Sequence, residues 1–121
     1  MGSELTRKQL LTIALIASDN RAASAIANSY PGGKLAFVKA MNVKAKQLDM
    51  FDTVFTDPTG LDKIIYRPLF DLVKMAQASN QYPLIRELTT SSIMKLYKNK
   101  IKLNYNNTNL LVRQACGYRC L

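Results

Sequence analysis

The chain has 121 residues, enough for one domain, and 48% of them are hydrophobic, which excludes a disordered tail and a chain too small to hold a core. No run of about 18 apolar residues occurs, so no transmembrane segment is expected, and the opening Met1-Gly2-Ser3-Glu4 lacks a basic segment followed by an apolar stretch, so no signal peptide is expected. Seventeen Lys and Arg against eight Asp and Glu give a net charge of +9 with no His; this favours acidic partners and excludes Ser-His and Cys-His catalysis and His-ligated zinc.

Thr6 is placed to cap a helix over 7–17, in which Leu10, Ile13, Ala14 and Ala17 fall on one face at helical spacing. Leu11 and Leu15 widen that face, so the helix is expected to be buried on most sides. Ser18, Asp19 and Asn20 are all N-cap residue types. A second helix over about 20–29 follows, and its Ala22, Ala23, Ala25, Ile26 and Ala27 allow close approach of a neighbour. Pro31-Gly32-Gly33 stops it. A third helix over about 34–48 carries the stripe Phe37, Met41, Ala45 and Leu48, with Lys39, Lys44 and Lys46 outside it. Asp57-Pro58-Thr59-Gly60 is a turn signal. A fourth helix is expected near 68–79, with Leu69, Leu72, Val73 and Ala76 inward.

After Pro83 the pattern changes. Residues 92–105 read as two short strands with Ile93 and Ile101 as β-branched members and Lys98-Asn99-Lys100 as the hairpin turn. Asn104 to Asn109 reads as a loop, and Leu110-Leu111-Val112 as a further short strand. Lys95, Lys98, Lys100 and Lys102 form the densest basic stretch, which is read as a solvated hairpin face. Cys116 and Cys120 lie four apart. Two thiols alone rarely make a zinc site, and a short-range disulfide would need an oxidising compartment. Both are read as incidental, and no metal or cofactor is expected.

Ser18-Asp19-Asn20 interrupts two alanine-rich stretches. By itself the tripeptide is a helix cap. Its surroundings add more: "LTRKQLLTIALIASDNRAASAIANSYPGG" precedes "FVKAMNVKAKQLDM" and "FTDPTGL". This series resembles the serine D-alanyl-D-alanine peptidases among the low-molecular-mass penicillin-binding proteins, and looks closest to the D,D-endopeptidase branch. "DLVKMAQASN", "YPLIREL" and "YNNTNLLVR" are similar to family segments in the same order, so the resemblance covers about residues 4–113. It implies an α+β, mostly α fold. A helical lobe of the β-lactamase/penicillin-binding-protein type, about 4–80, would precede a β-hairpin and a remnant of the β-lobe, about 81–121, in a single domain incomplete relative to the family.

The resemblance also implies a mechanism. Family members combine Ser-x-x-K, Ser-x-Asn and Lys-Thr-Gly; the first Ser attacks the D-Ala carbonyl and its Lys acts as base, so no His is needed. By motif match, Ser18 would relay a proton and the Asn20 amide would orient the substrate peptide. Asp19 would serve only the helix start, where its charge suits the dipole. No Ser-x-x-K precedes Ser18, and no Lys-Thr-Gly follows the Asn-Thr-Asn segment. Ser92-Ile93-Met94-Lys95 has the spacing, but it comes in the wrong order and on a predicted strand, where Ser92 and Lys95 would leave opposite faces. "IIYRPLF" and the tail after Arg113 keep the family spacing without its residues. The expectation is an inactive fragment or remnant of a periplasmic enzyme. Peptidoglycan peptide or β-lactam would be bound only if the missing motifs are supplied, and self-association is expected because a partial fold exposes apolar surface. The alternative is a non-enzymatic basic helical module for nucleic acid or an anionic glycan. Nucleic acid is the less expected partner, since no helix concentrates a basic face.

Overall fold

The computed structural model describes residues 4–61, 69–98 and 101–113. Among them, helices α1 (Arg7–Ala17), α2 (Asn20–Asn28), α3 (Gly33–Gln47), α4 (Leu69–Asn80) and α5 (Pro83–Thr90) precede a hairpin of β1 (Ile93–Lys98) and β2 (Ile101–Asn106). The two strands are antiparallel, with Met94 opposite Tyr105 and Leu96 opposite Leu103.

α1 starts where expected. The Thr6 hydroxyl accepts from the Gln9 N–H at 3.2 Å and Gln9 Oε1 accepts from the Thr6 N–H at 2.9 Å, so two N–H groups that have no helical partner are satisfied reciprocally. None of residues 9–17 is exposed, because α1 packs against α2, α5 and both strands. The centre of its buried surface is shifted from the predicted face. Thr12, Ile13 and Ile16 are buried, while Leu10 and Ala14 lie at the margin. The Thr12 hydroxyl donates to the Lys8 carbonyl at 2.8 Å, which lets a polar side chain sit in the interior.

Ile13, Ala22 and Leu96 form the core between α1, α2 and the hairpin, with Met94, Leu103 and Tyr105 packed against it. Strand alternation sends Ile93 and Lys95 to the outer face, where both are exposed. α3 enters through Gly32 at φ +88°, and a Cβ there would meet the Ala36 Cβ at 2.8 Å, so only glycine fits this turn. At the other end the Met50 N–H donates back to the Ala45 carbonyl at 2.9 Å, which tucks Met50 into the interior.

Several expectations are corrected. α4 does not turn Leu69, Val73 and Ala76 inward: all three are exposed, Leu72 is half-buried, and the residue that faces in is Asp71. α4 is anchored by hydrogen bonds from the chain at 52–53 to that carboxylate, so the apolar spacing does not mark its inner side. α5 is not anticipated by the sequence reading. Its signal is Pro83 at the first helical position behind an extended Tyr82. Asn104 to Asn106 belong to β2, and the loop begins at Asn107. Residues 110–113 form a helical turn, not a strand, because Asn109 Oδ1 accepts from the Leu111 N–H at 3.0 Å and so caps a turn. Residues 99–100 of the expected hairpin turn, Cys116, Cys120 and most of "IIYRPLF" lie outside the described residues. No helix among the described residues is long and apolar enough to cross a membrane.

Candidate active site

The break between α1 and α2 is a two-residue corner with a separate job for each residue. Ser18 ends α1 in the left-handed conformation, φ 52° and ψ 37°. This is sparsely populated for a residue with a side chain, and it turns the chain sharply. Asp19 returns to extended backbone and caps α2, with Oδ1 accepting from the Ala22 N–H at 3.0 Å. The cap is therefore Asp19, and Ser18 and Asn20 flank it with exposed side chains.

Asp19 has its carboxyl held below the ordinary value of 3.8, chiefly by the Ala22 amide and further by the Arg21 guanidinium 3.3 Å away, against an opposing contribution from partial burial. A lowered folded-state value means that the carboxylate stabilises the fold above the unfolded-state value, and that this is lost as pH falls through the folded one. Asp19→Ala is expected to cost about 1 kcal/mol at neutral pH. The gap to wild type should narrow below pH 3.8. Urea unfolding of both chains at two pH values checks this.

Ser18 has a specific partner. Its Oγ lies 2.7 Å from Thr108 Oγ1, and the Thr108 N–H donates to the Ile16 carbonyl at 2.9 Å. One residue from β2's exit thus grips the corner by side chain and main chain. Asn107 holds Thr108 in place: its Nδ2 donates to the Ser91 carbonyl at 2.8 Å and the Thr89 carbonyl at 3.3 Å, and its Oδ1 accepts from the Asn109 N–H at 2.8 Å. Sequence reasoning placed no site role on Asn107 or Thr108. The available signal was the Asn-rich run itself, since Asn side chains bond readily to nearby backbone.

Asn20 opens onto a cleft of about 500 Å³ between α2, the start of α3 and the Asp57 turn, lined also by Ser24, Asn28, Lys34 and Thr59. In that turn the Asp57 carboxylate accepts from the Thr59 N–H and the Gly60 N–H, each at 3.0 Å, and from the Thr59 hydroxyl. Asn42 of α3 docks the preceding segment. It donates to the Phe55 carbonyl and accepts from the Phe55 N–H, both at 2.8 Å. The Ser-Asp-Asn corner and the Asp-Pro-Thr-Gly turn, 37 residues apart in the sequence numbering of Asn20 and Asp57, therefore wall one cleft.

Ser92 and Lys95 are not brought together. Ser92 immediately precedes β1 and Lys95 is exposed within it, opposite Asn104; three residues apart on extended backbone, their side chains leave opposite faces. The Ser92 carbonyl accepts from the Asn107 N–H at 2.8 Å, but no side-chain hydrogen bond joins Ser92 or Lys95 to Ser18 or Asn20 among the described residues. Nor is any group of three His, Cys, Asp or Glu among them placed to hold a metal ion.

A family model described as D-alanyl-D-alanine carboxypeptidase matches residues 1–118 of the chain. The D-alanyl-D-alanine endopeptidases of Escherichia coli and Pseudomonas aeruginosa are 48% and 41% identical to it over 114 residues, which are 93% of this chain and 37% of each relative. The crystal structure of a D-alanyl-D-alanine carboxypeptidase from Mycobacterium tuberculosis matches with a TM-score of 0.84 at 28% identity, over 93% of this chain and 44% of that one. The chain thus spans little more than a third of the length of these curated relatives.

Proposed function

Because the chain belongs to the D-alanyl-D-alanine carboxypeptidase family, we propose that Ser18 and Asn20 form the Ser-x-Asn element of a serine D,D-peptidase site that acts on peptidoglycan cross-links in the periplasm. One observation carries this reading: the helix break gives the cap to Asp19 and leaves a hydroxyl and an amide exposed on either side of it, the hydroxyl held by Thr108 and the amide at the mouth of a cleft. In this reading Ser18 passes a proton through its hydroxyl, and the Asn20 amide donates to a substrate carbonyl and orients the peptide for attack. The supporting geometry is preorganised, since Ser18 is fixed by a side-chain partner and by the backbone of its neighbour Ile16.

The 121 residues contain no Ser-x-x-K ahead of Ser18 and no Lys-Thr-Gly. We infer that on their own they bind and orient but do not attack. Without a nucleophile and its base, most of the rate enhancement is gone and only binding effects remain. Residues 4–80 act as a helical lobe and the hairpin as the start of a β-lobe in one partial domain, and the exposed Leu69, Phe70 and Val73 of α4 make self-association part of this reading. Incubation with a fluorescent penicillin tests it. No covalently labelled species is expected at 13.6 kDa. A specific label at that mass that disappears in Ser92→Ala would instead make Ser92 the nucleophile and overturn this reading.

A further inference from the structure

We infer that the outer face of the hairpin docks on the anionic headgroups of a bilayer surface, with Lys95 and Lys102 as its cationic contacts and Ile93, Leu110 and Leu111 as the apolar ones beside them. This role is independent of that of Ser18 and Asn20.

Charge is unevenly spread along the chain. All eight Asp and Glu lie at or before Glu87, whereas six of the seventeen Lys and Arg lie after it. Such asymmetry suits a segment that meets a polyanionic surface. The fold gathers part of this charge on one face. Met94, Leu96, Leu103 and Tyr105 are packed inward, so alternation turns Ile93, Lys95, Lys102, Asn104 and Asn106 outward, and all five are exposed. Lys95 stands opposite Asn104 and Lys102 opposite Tyr97, which makes the two lysines diagonal neighbours about 7–8 Å apart. No carboxylate among the described residues pairs with either. α1, which packs against both strands, contains no Asp or Glu. Asp19 shares a hollow with Tyr105 on the inner side, where the Ala22 N–H and Arg21 engage it. Glu87 belongs to α5, outside the hairpin. Two unpaired like charges at this spacing repel, and a surface of fixed negative charge turns that repulsion into attraction.

The apolar members favour a bilayer over a polyanion in solution. Ile93 is 55% exposed on the lysine face. Asn106, its cross-strand partner, is followed within five residues by Leu110 and Leu111, 62% and 76% exposed, and Arg113, also exposed, ends the same helical turn. A nucleic acid or an anionic glycan offers these aliphatic side chains no apolar phase. The boundary between headgroups and acyl chains accepts apolar groups set beside cations, and binding there grows with both the buried apolar area and the attraction to anionic lipid. Lysine suits this position, since its stem lies along apolar surface while its ammonium stays with the headgroups.

The test is co-sedimentation of the 121-residue chain with vesicles of phosphatidylcholine and with vesicles of phosphatidylcholine and phosphatidylglycerol in equal parts. Partition into the anionic vesicles is expected at low salt, and its loss at about 1 M salt, where the screening length falls to about 3 Å. Lys95→Gln and Lys102→Gln should each lower that partition about fivefold. Lys39→Gln, which removes the same charge from an exposed position on α3, should lower it far less. Leu110→Ser with Leu111→Ser should weaken vesicle binding and leave retention on immobilised random DNA unchanged. Unchanged melting curves establish that the surface variants are folded. No partition, or equal partition into both kinds of vesicle, overturns the proposal. Equal effects of Lys39→Gln and Lys95→Gln overturn it as well, since net charge would then act without a docking face. A leucine variant that binds vesicles like wild type, or random DNA bound more tightly than anionic vesicles at equal phosphate, makes the partner a soluble polyanion and sinks the bilayer.

Discussion

Asn107→Ala is expected to destabilise the chain by about 3 kcal/mol, because it strips a buried side chain of three bonds at once. Asn107 is only 3% exposed. Its amide gives protons to the Ser91 and Thr89 carbonyls, at the end of α5, and its carbonyl takes one from the Asn109 N–H. Alanine keeps the main-chain bond to Ser92 but leaves those groups without partners in a site too enclosed for free solvation. An unmet buried polar group costs about 1–3 kcal/mol. The effect should reach the candidate site, because Thr108 is the next residue and holds both Ile16 and Ser18. Urea unfolding measures the first part. Hydrogen exchange measures the second: the Thr108 amide should lose protection by more than the global change in stability accounts for. A Thr108 amide that merely follows global unfolding would show that Asn107 supports the fold and not the corner.

Asp71→Ala should have a comparable effect, about 3 kcal/mol, through a separate set of bonds. The Asp71 carboxylate is buried and accepts from the Thr53 hydroxyl at 2.8 Å and the Asp52 N–H at 3.2 Å, with Lys74 Nζ 3.9 Å from its other oxygen. Bonds to a charged acceptor contribute about 1.5–3 kcal/mol each, and Thr53, itself buried, would be left with an unpaired hydroxyl. Asp71→Asn retains an acceptor oxygen and should lose about half as much. The comparison with Leu69→Ala is decisive. Leu69 is 74% exposed, so its truncation should be nearly neutral. If urea titrations instead rank Leu69→Ala above Asp71→Ala, α4 packs by its apolar spacing and the polar anchor is wrong.

These two residues also mark the limit of reading the chain. Helix starts were legible because the chemistry that makes them is local. Thr6 and Gln9 satisfy each other across one turn, and Asp19 reaches only to Ala22. The two strands of the hairpin are legible for the same reason, while their inward residues, the buried Leu96 and the half-buried Met94, come from the structure. α5 was missed although Pro83 marks its first position, because the change of pattern after Pro83 was read only as the approach of strands. The turn at 110–113 was missed because a Leu-Leu-Val run satisfies a strand pattern as well as a helical one, and the deciding bonds come from Asn109.

Ser18 and Asn20 were singled out by their place among spaced motifs. What holds them was not: Thr108 is 90 residues from Ser18, and no periodicity links them. In the same way Asn42 reaches Phe55 and Asp71 reaches Thr53 across 13 and 18 residues. The sequence by itself determined the helix caps, the order of helices then hairpin, and the break at Ser18, because each rests on interactions within a turn or a strand repeat. Only the tertiary structure decided which face of α4 turns inward, what grips Ser18, and that Asn20 shares a cleft with Lys34 and the Asp57 turn. Those outcomes depend on which distant polar group arrives to satisfy a buried one, and that is set by packing of the whole chain and not by any window along it.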